Sequence, residues 1–185
     1  MARIIQEFCN FFGSNGYDKG KPMTTLSEIY QQYAPDVYRF ALGLCGDPAW
    51  AEDLTSETFV RALVSPNPIR TETVKAYLFT IIRNLYLQAW HKTKRQTPLD
   101  EMLPDAHPGP EHLAAQNDEY RTVLAGLQTL SEPERAALLM RARDEFPYED
   151  IATALGISLA AAKVKVHRAR LKMAAFVKRD EGTLP

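Results

Sequence analysis

The chain has 185 residues, enough to bury one good core or two small ones. Its composition, 45% hydrophobic and 24% charged, is that of a water-soluble globular protein, and no apolar run approaches the roughly 20 residues that a membrane-spanning helix needs. Cys9 and Cys45 are too few for a disulfide framework and stand in no metal-spaced Cys/His cluster, and the N-terminus lacks the pattern of a secretory signal. A reducing, cytoplasmic setting is expected, with no cofactor, no metal and no membrane insertion. The net charge of −1 conceals blocks: residues 96–119 hold six acids and no Lys or Arg, whereas 158–179 hold seven cations and no acid, and 70–95 hold six cations and one acid. Two basic blocks separated by an acidic one predict two nucleic-acid contacts joined by a segment that is not one.

In chain order, residues 1–22 read as a poorly ordered extension ending in Gly, Ser, Asn and Lys. Thr25 to Cys45 reads as helix, opened by the Thr25–Glu28 capping-box spacing and carrying Leu26, Ile29, Tyr30, Tyr33, Val37, Phe40, Ala41 and Leu44 on its apolar face. Pro35 inside it predicts a kink or two abutting helices. Gly46 ends this element, and Asp47-Pro48 supplies an N-cap and an N1 proline for the next. That helix, to about Leu63, is expected to bury Ala51, Leu54, Thr58, Phe59 and Ala62 and to expose Glu52, Asp53, Ser56, Glu57 and Arg61. From pattern alone the exposed set is a solvated acidic face.

Ser65-Pro66-Asn67-Pro68 predicts a loop. The longest helix then spans about Thr71 to Lys94, with Val74, Tyr77, Leu78, Ile81, Ile82, Leu85 and Ala89 as its buried stripe. Lys75, Arg83, His91, Lys92, Lys94 and Arg95 fall elsewhere, with Thr80, Asn84 and Gln88 between them. Tyr86 and Trp90 admit two readings: core aromatics, or rings beside cations on which unstacked bases of a single strand could lie. Residues 96–117, with four prolines and no Lys or Arg, predict an extended linker.

Asp118 to Leu130 reads as a helix with Tyr120, Val123, Leu124, Leu127 and Leu130 on one face. Ser131-Glu132-Pro133-Glu134 is a capping box opening a helix to about Arg143, which buries Ala136, Leu139, Met140 and the stem of Arg143. After a turn at Phe146-Pro147, Tyr148 to Arg170 carries two short helices around Gly156, with Ser158 as N-cap of the second. Ala162, Val166 and Ala169 recur at i, i+4, i+7 and face inward, leaving Lys163, Lys165, His167, Arg168 and Arg170 outside. A helical hairpin with a solvated basic face is the plain reading. The glycine turn, the cap and the one-sided charge favour a helix-turn-helix with its recognition helix in the major groove. No strand pattern is present, so the fold expected is all-α.

Three stretches taken together resemble the extracytoplasmic-function (ECF) group of the sigma-70 family of RNA polymerase sigma factors. They are LSEIYQQYAPDVYRFALGLCGDPAWAEDLTSETFVRAL, VKAYLFTIIRNLYLQAWHKTKR and LSEPERAALLMRARDEFPYEDIATALGISLAAAKVKVHRAR. The resemblance covers roughly residues 25–176. It implies two small helical domains, sigma region 2 at 23–95 and sigma region 4 at 118–179, joined by the proline-rich acidic linker 96–117, with a frayed tail at 180–185. It implies an alternative sigma factor, not an enzyme, that binds the β′ clamp and β flap of core RNA polymerase. Its promoter would be double-stranded at the −35 element and single-stranded at the −10 element. An anti-sigma factor is a further implied partner, and could hold the protein at a membrane.

The residue roles come from the same resemblance. Glu52, Asp53, Ser56, Glu57 and Arg61 match the segment that docks on the polymerase clamp, which replaces the solvated-face reading. Lys75, Tyr77, Arg83, Asn84, Gln88, His91 and Lys92 match the −10 surface. Ser158, Lys163, Val164, Lys165, His167, Arg168 and Arg170 match the −35 reader, with Lys165 and Arg170 on phosphates. Pro147 stands where a serine often caps the first helix of this motif. The rival from the residues alone is a dimeric helix-turn-helix regulator that binds an operator without polymerase. It would need a dimerisation or sensor domain that the pattern does not show.

Overall fold

The structure is a computed structural model that describes residues 26–64, 74–96, 118–142 and 146–181. Those residues form seven helices and no strand. They are α1 (Leu26–Cys45), α2 (Pro48–Val64), α3 (Val74–Gln96), α4 (Asp118–Gln128), α5 (Glu132–Ala142), α6 (Tyr148–Leu155) and α7 (Leu159–Glu181). The chain divides into two compact units, one within Thr25–Ala115 and holding α1–α3, the other including Gln116–Pro185 and holding α4–α7. The expectations for the 1–22 extension, Thr25, the 65–71 loop, the linker over 97–117, Arg143 and the tail beyond Glu181 lie outside the described residues. Helix α7 continues through Glu181, so residues 180 and 181 belong to it and not to a tail.

In the first unit, Asp47 is the N-cap that its position promised: its Oδ1 accepts the Trp50 N–H at 2.6 Å, and its carbonyl accepts Ala51 N–H at 2.9 Å. Helix α1 packs on α2 and α3, and α2 on α3. The joint is Phe40 against Phe79, stacked with centroids 4.2 Å apart and planes at 11°, both rings essentially inaccessible. Burying each ring contributes about 1.5–3 kcal/mol. Thr55 and Thr58 are also buried, each hydroxyl donating to the carbonyl four residues back at 2.6 Å, so no polar atom is stranded there.

Three expectations change in this unit. Of the two expected at Pro35, a kink or two abutting helices, the second does not hold, since Pro35 sits inside one continuous helix. The carbonyl it deprives of a donor is that of Gln31, whose residue is exposed, so water can satisfy it. Tyr30, expected in the core, is 49% exposed and meets Phe59 edge-on at 4.8 Å. The stripe of α3 is also broader than one face. Val74, Leu78, Ile82 and Leu85 are buried as expected, but Phe79 and Tyr86 are buried too, because α3 packs against two helices at once.

In the second unit α4, α5 and α6 each pack against α7. A capping box opens α5: Glu134 Oε2 accepts the Ser131 N–H at 3.2 Å and the Ser131 hydroxyl at 2.8 Å. Arg135 is buried, which its sequence position did not suggest. Its guanidinium donates to the Gln128 side chain and to the Leu130 carbonyl at 3.1 Å, closing the C-terminal end of α4. Gly126 on α4 permits close approach of α7, since a Cβ there would lie 3.0 Å from Met173 Cε and from Phe176 Cδ1.

Candidate nucleic-acid interface

The second unit carries a helix-turn-helix. Helix α6 ends at Gly156, whose φ of 64° and ψ of 38° are left-handed, with Gly156 N–H bonded to the Thr153 carbonyl and Ile157 N–H to the Ala152 carbonyl. Ser158 then caps α7, its Oγ accepting the Ala161 N–H at 3.2 Å. Ala162, Val166 and Ala169 are at most 1% exposed, as their spacing requires. Small side chains on that inner face bring α7 close to its partners while its outer face remains free. That face presents Ser158, Lys163, Val164, His167, Arg168 and Arg170, all exposed, with Lys165 half-buried at its margin. Leu171 is exposed one turn beyond Arg168.

Pro147 is the N-cap residue of α6 and makes no side-chain cap bond. The lead-in is held otherwise. Arg141 at the end of α5 donates from Nη1 to the Phe146 carbonyl at 3.0 Å, and its guanidinium lies 4.9 Å from the centre of the Tyr148 ring. Lys163 lies over the same ring at 5.8 Å. This cluster of three helices was not anticipated from the sequence, because neither Arg141 nor Tyr148 is near Lys163 in the chain.

The first unit presents two surfaces. On α2, Glu52, Asp53, Ser56, Glu57 and Arg61 are all exposed, as expected. Val60, Leu63 and Val64 are more than half exposed beside them, so the face is acidic at its start and apolar toward its end. On α3, Asn84, Gln88, His91 and Lys92 are exposed, while Tyr77 and Arg83 are half-buried. Tyr77, Asn84, Gln88 and His91 share one side of the helix, seven, four and three residues apart. The two surfaces touch: Arg61 Nε bonds Glu57 Oε1 at 2.9 Å, and Arg61 Nη1 donates to Gln88 Oε1 at 3.3 Å.

Lys75 does not stand with the others and is corrected. It is 7% exposed, its ammonium pairs with Asp36 Oδ2 at 2.7 Å and it lies over the Phe79 ring at 5.7 Å. Nine residues separate it from Asn84, two and a half turns of helix, which places it on the opposite side. Spacing gives the side of the helix, and the Asp36 carboxylate on α1 gives the reason a lysine is buried there. The two open aromatics separate as well. Tyr86 is buried against Trp50, with centroids 5.3 Å apart, whereas Trp90 is 40% exposed with its ring 5.1 Å from His91.

Among the described residues no group of His, Cys, Asp and Glu could hold a metal ion, and no helix is long and apolar enough to cross a membrane.

Known families and relatives match this arrangement. Residues 29–96 match the family Sigma-70 region 2, and residues 120–173 match Sigma-70, region 4. The chain is similar to the ECF RNA polymerase sigma factor SigM of Bacillus subtilis, 32% identical over 157 residues that make up 84% of this chain and 96% of that one. It is similar to the ECF RNA polymerase sigma factor EcfG of Rhodopseudomonas palustris, 32% identical over 84% of this chain and 87% of that one. Its fold is similar to that of RpoE from Bartonella quintana, solved in complex with the anti-sigma factor NepR, with a TM-score of 0.63 at 23% identity over 82% of this chain and 96% of that one. It is also similar in fold to CnrH, solved with the cytosolic domain of CnrY, with a TM-score of 0.62 at 18% identity over 96% and 97% of the two chains.

Proposed function

Because the chain belongs to the extracytoplasmic-function group of the sigma-70 family, we propose that it is an alternative sigma factor working through three surfaces on two units. The exposed face of α2 docks on core RNA polymerase, with Asp53 and Glu57 as its main contacts and Val60, Leu63 and Val64 extending it. The strip Tyr77, Asn84, Gln88, His91 and Lys92 on α3 receives the single strand of the −10 element, with Arg83 and Trp90 at its edge. Helix α7 enters the major groove at the −35 element. Lys163, Val164, His167 and Arg168 lie at base edges, and Ser158, Lys165 and Arg170 on phosphates.

The observation that carries this reading is the division of α7 into a sealed inner face of Ala162, Val166 and Ala169 and a fully presented basic outer face. The first unit then supplies what an operator-binding regulator has no use for, an acidic docking face beside a polar strip for a single strand. The family membership likewise does not favour the dimeric-regulator alternative. Melting uses binding energy: unstacking a base costs a few kcal/mol, offset by stacking and phosphate contacts. The role is one of binding and needs no catalytic side chain.

The domain boundaries that go with it are 23–95 for polymerase and −10 binding, 96–117 for the connector and 118–179 for the −35 reader. An anti-sigma factor as a regulatory partner is supported by RpoE and CnrH, each solved with such a partner or a partner's cytosolic domain. The site of action is the cytoplasm, where an anti-sigma factor could hold the protein at a membrane. Transcription in vitro with purified core polymerase on a promoter-fragment library tests the whole. Promoter-specific transcripts and co-purification with core are expected; their joint absence would refute the reading.

A further inference from the structure

We propose that Tyr148 is a positioning residue for −35 recognition, whose ring holds the Lys163 ammonium at the base-reading end of α7. The proposal rests on the assignment of α7 to the −35 element. Lys163 lies in the second turn of the recognition helix, the part of such a helix that meets base edges. It is exposed and makes no ion pair among the described residues. A lysine of this kind has a flexible four-carbon stem, and a base edge would have to select one rotamer from many. Among the described residues its one specific contact is the Tyr148 ring at 5.8 Å, inside the roughly 6 Å reach of a cation–π attraction.

The ring is itself held in place. Arg141 lies at 4.9 Å from the same centroid and bonds the Phe146 carbonyl two residues before Tyr148. Arg141 therefore fixes the segment that leads into α6 from its carbonyl side, although it caps none of the helix's free N–H groups. An ammonium resting on a ring keeps N–H donors pointing away from it, and these suit the N7 and O6 acceptors of guanine. The phenol hydroxyl plays no part in this, so the ring alone should suffice. One side chain on the first helix of the motif thus sets the reach of the second, and the pair Tyr148–Lys163 reads one guanine.

The test uses holoenzyme assembled from core polymerase with the full chain, transcribing a promoter library randomised across the −35 positions. Preference is read as the ratio between bases at each position within one preparation, so a reduced folded fraction cancels. Lys163→Ala should flatten a guanine preference at one base pair. Tyr148→Leu should weaken the same preference by roughly two- to fivefold, the factor that a surface cation–π contact supports. Tyr148→Phe should retain it, and Tyr148→Leu should add nothing when Lys163→Ala is already present. A Tyr148→Leu variant that leaves every ratio unchanged, alters a different base pair, or multiplies with Lys163→Ala would overturn the proposal. A wild-type holoenzyme with no preference at any randomised position would overturn the −35 assignment itself, and the proposal with it.

Discussion

Helices α3 and α7 are each 23 residues long, and each carries one of the two proposed DNA surfaces, yet they are built on different plans. The first half of α7 rests on Ala162, Val166 and Ala169, so its backbone lies close to its supports and more than half its circumference is free. Only further along does it carry larger residues, Met173 and Phe176, where Gly126 makes room. Helix α3 instead buries Leu78, Phe79, Ile82, Leu85 and Tyr86 between α1 and α2, which leaves a narrow polar strip outside. A helix that must slide into a groove needs a thin inner face; a helix that must hold a strand against one side can be embedded on the others.

The buried rings of α3 give the largest effect. Phe79→Ala removes a fully buried ring from the Phe40 stack and should cost the first unit about 3–5 kcal/mol. Trp50 and Trp90 are the chain's two tryptophans and both lie in that unit, so a denaturant midpoint followed by tryptophan fluorescence reports it alone. Ala162→Leu is the counterpart in the second unit, where overpacking should cost about 1–3 kcal/mol. It should lower the helical melt seen by circular dichroism and leave the fluorescence midpoint unchanged.

Lys75→Met sharpens the contrast by separating stability from DNA binding. Loss of the Asp36 pair should cost the first unit about 1–2 kcal/mol, with Arg39 at 2.8 Å still serving Asp36. The salt dependence of promoter binding by the holoenzyme should not change, because Lys75 is buried in its pair with Asp36.

The smallest effect concerns pH. Burial pushes the Glu134 carboxyl up, but hydrogen bonds from Lys172 and Ser131 outweigh it and hold the group below its ordinary value of 4.5. A lowered folded value means that the stabilisation is complete above the unfolded value and is lost as the pH falls through the folded one. Lys172→Ala should weaken that acid-side loss and lower neutral stability by less than about 1 kcal/mol, since Lys172 is half exposed. Thermal melts of the second unit between neutral and acid pH check it.

Much of the architecture was legible because local rules acted alone. The caps at Asp47, Ser131 and Ser158, the left-handed Gly156 and the inner face of α7 each depend on a few neighbouring residues or on a single packing interface. The misplaced residues share a different cause. Phe79 lies off the single stripe drawn for α3, and is buried because a second helix covers it. Tyr30 fits the stripe of α1 and is half exposed. Lys75 and Arg135 read as surface cations, and only the tertiary partners Asp36, Gln128 and Leu130 explain their burial. The roles on α2 and α3 came from family resemblance, since spacing alone gives an acidic face and a polar strip without saying what meets them.

The proposed polymerase-docking face on α2 and the proposed −35 reader on α7 are separate surfaces on separate units. Arg168→Ala tests that separation most directly, measured in parallel by affinity for core polymerase and by transcription from promoters that depend on the −35 element. The exposed position of Arg168 on the outer face of α7 predicts unchanged core affinity with a clear loss of transcription. Equal loss of core binding would contradict the account.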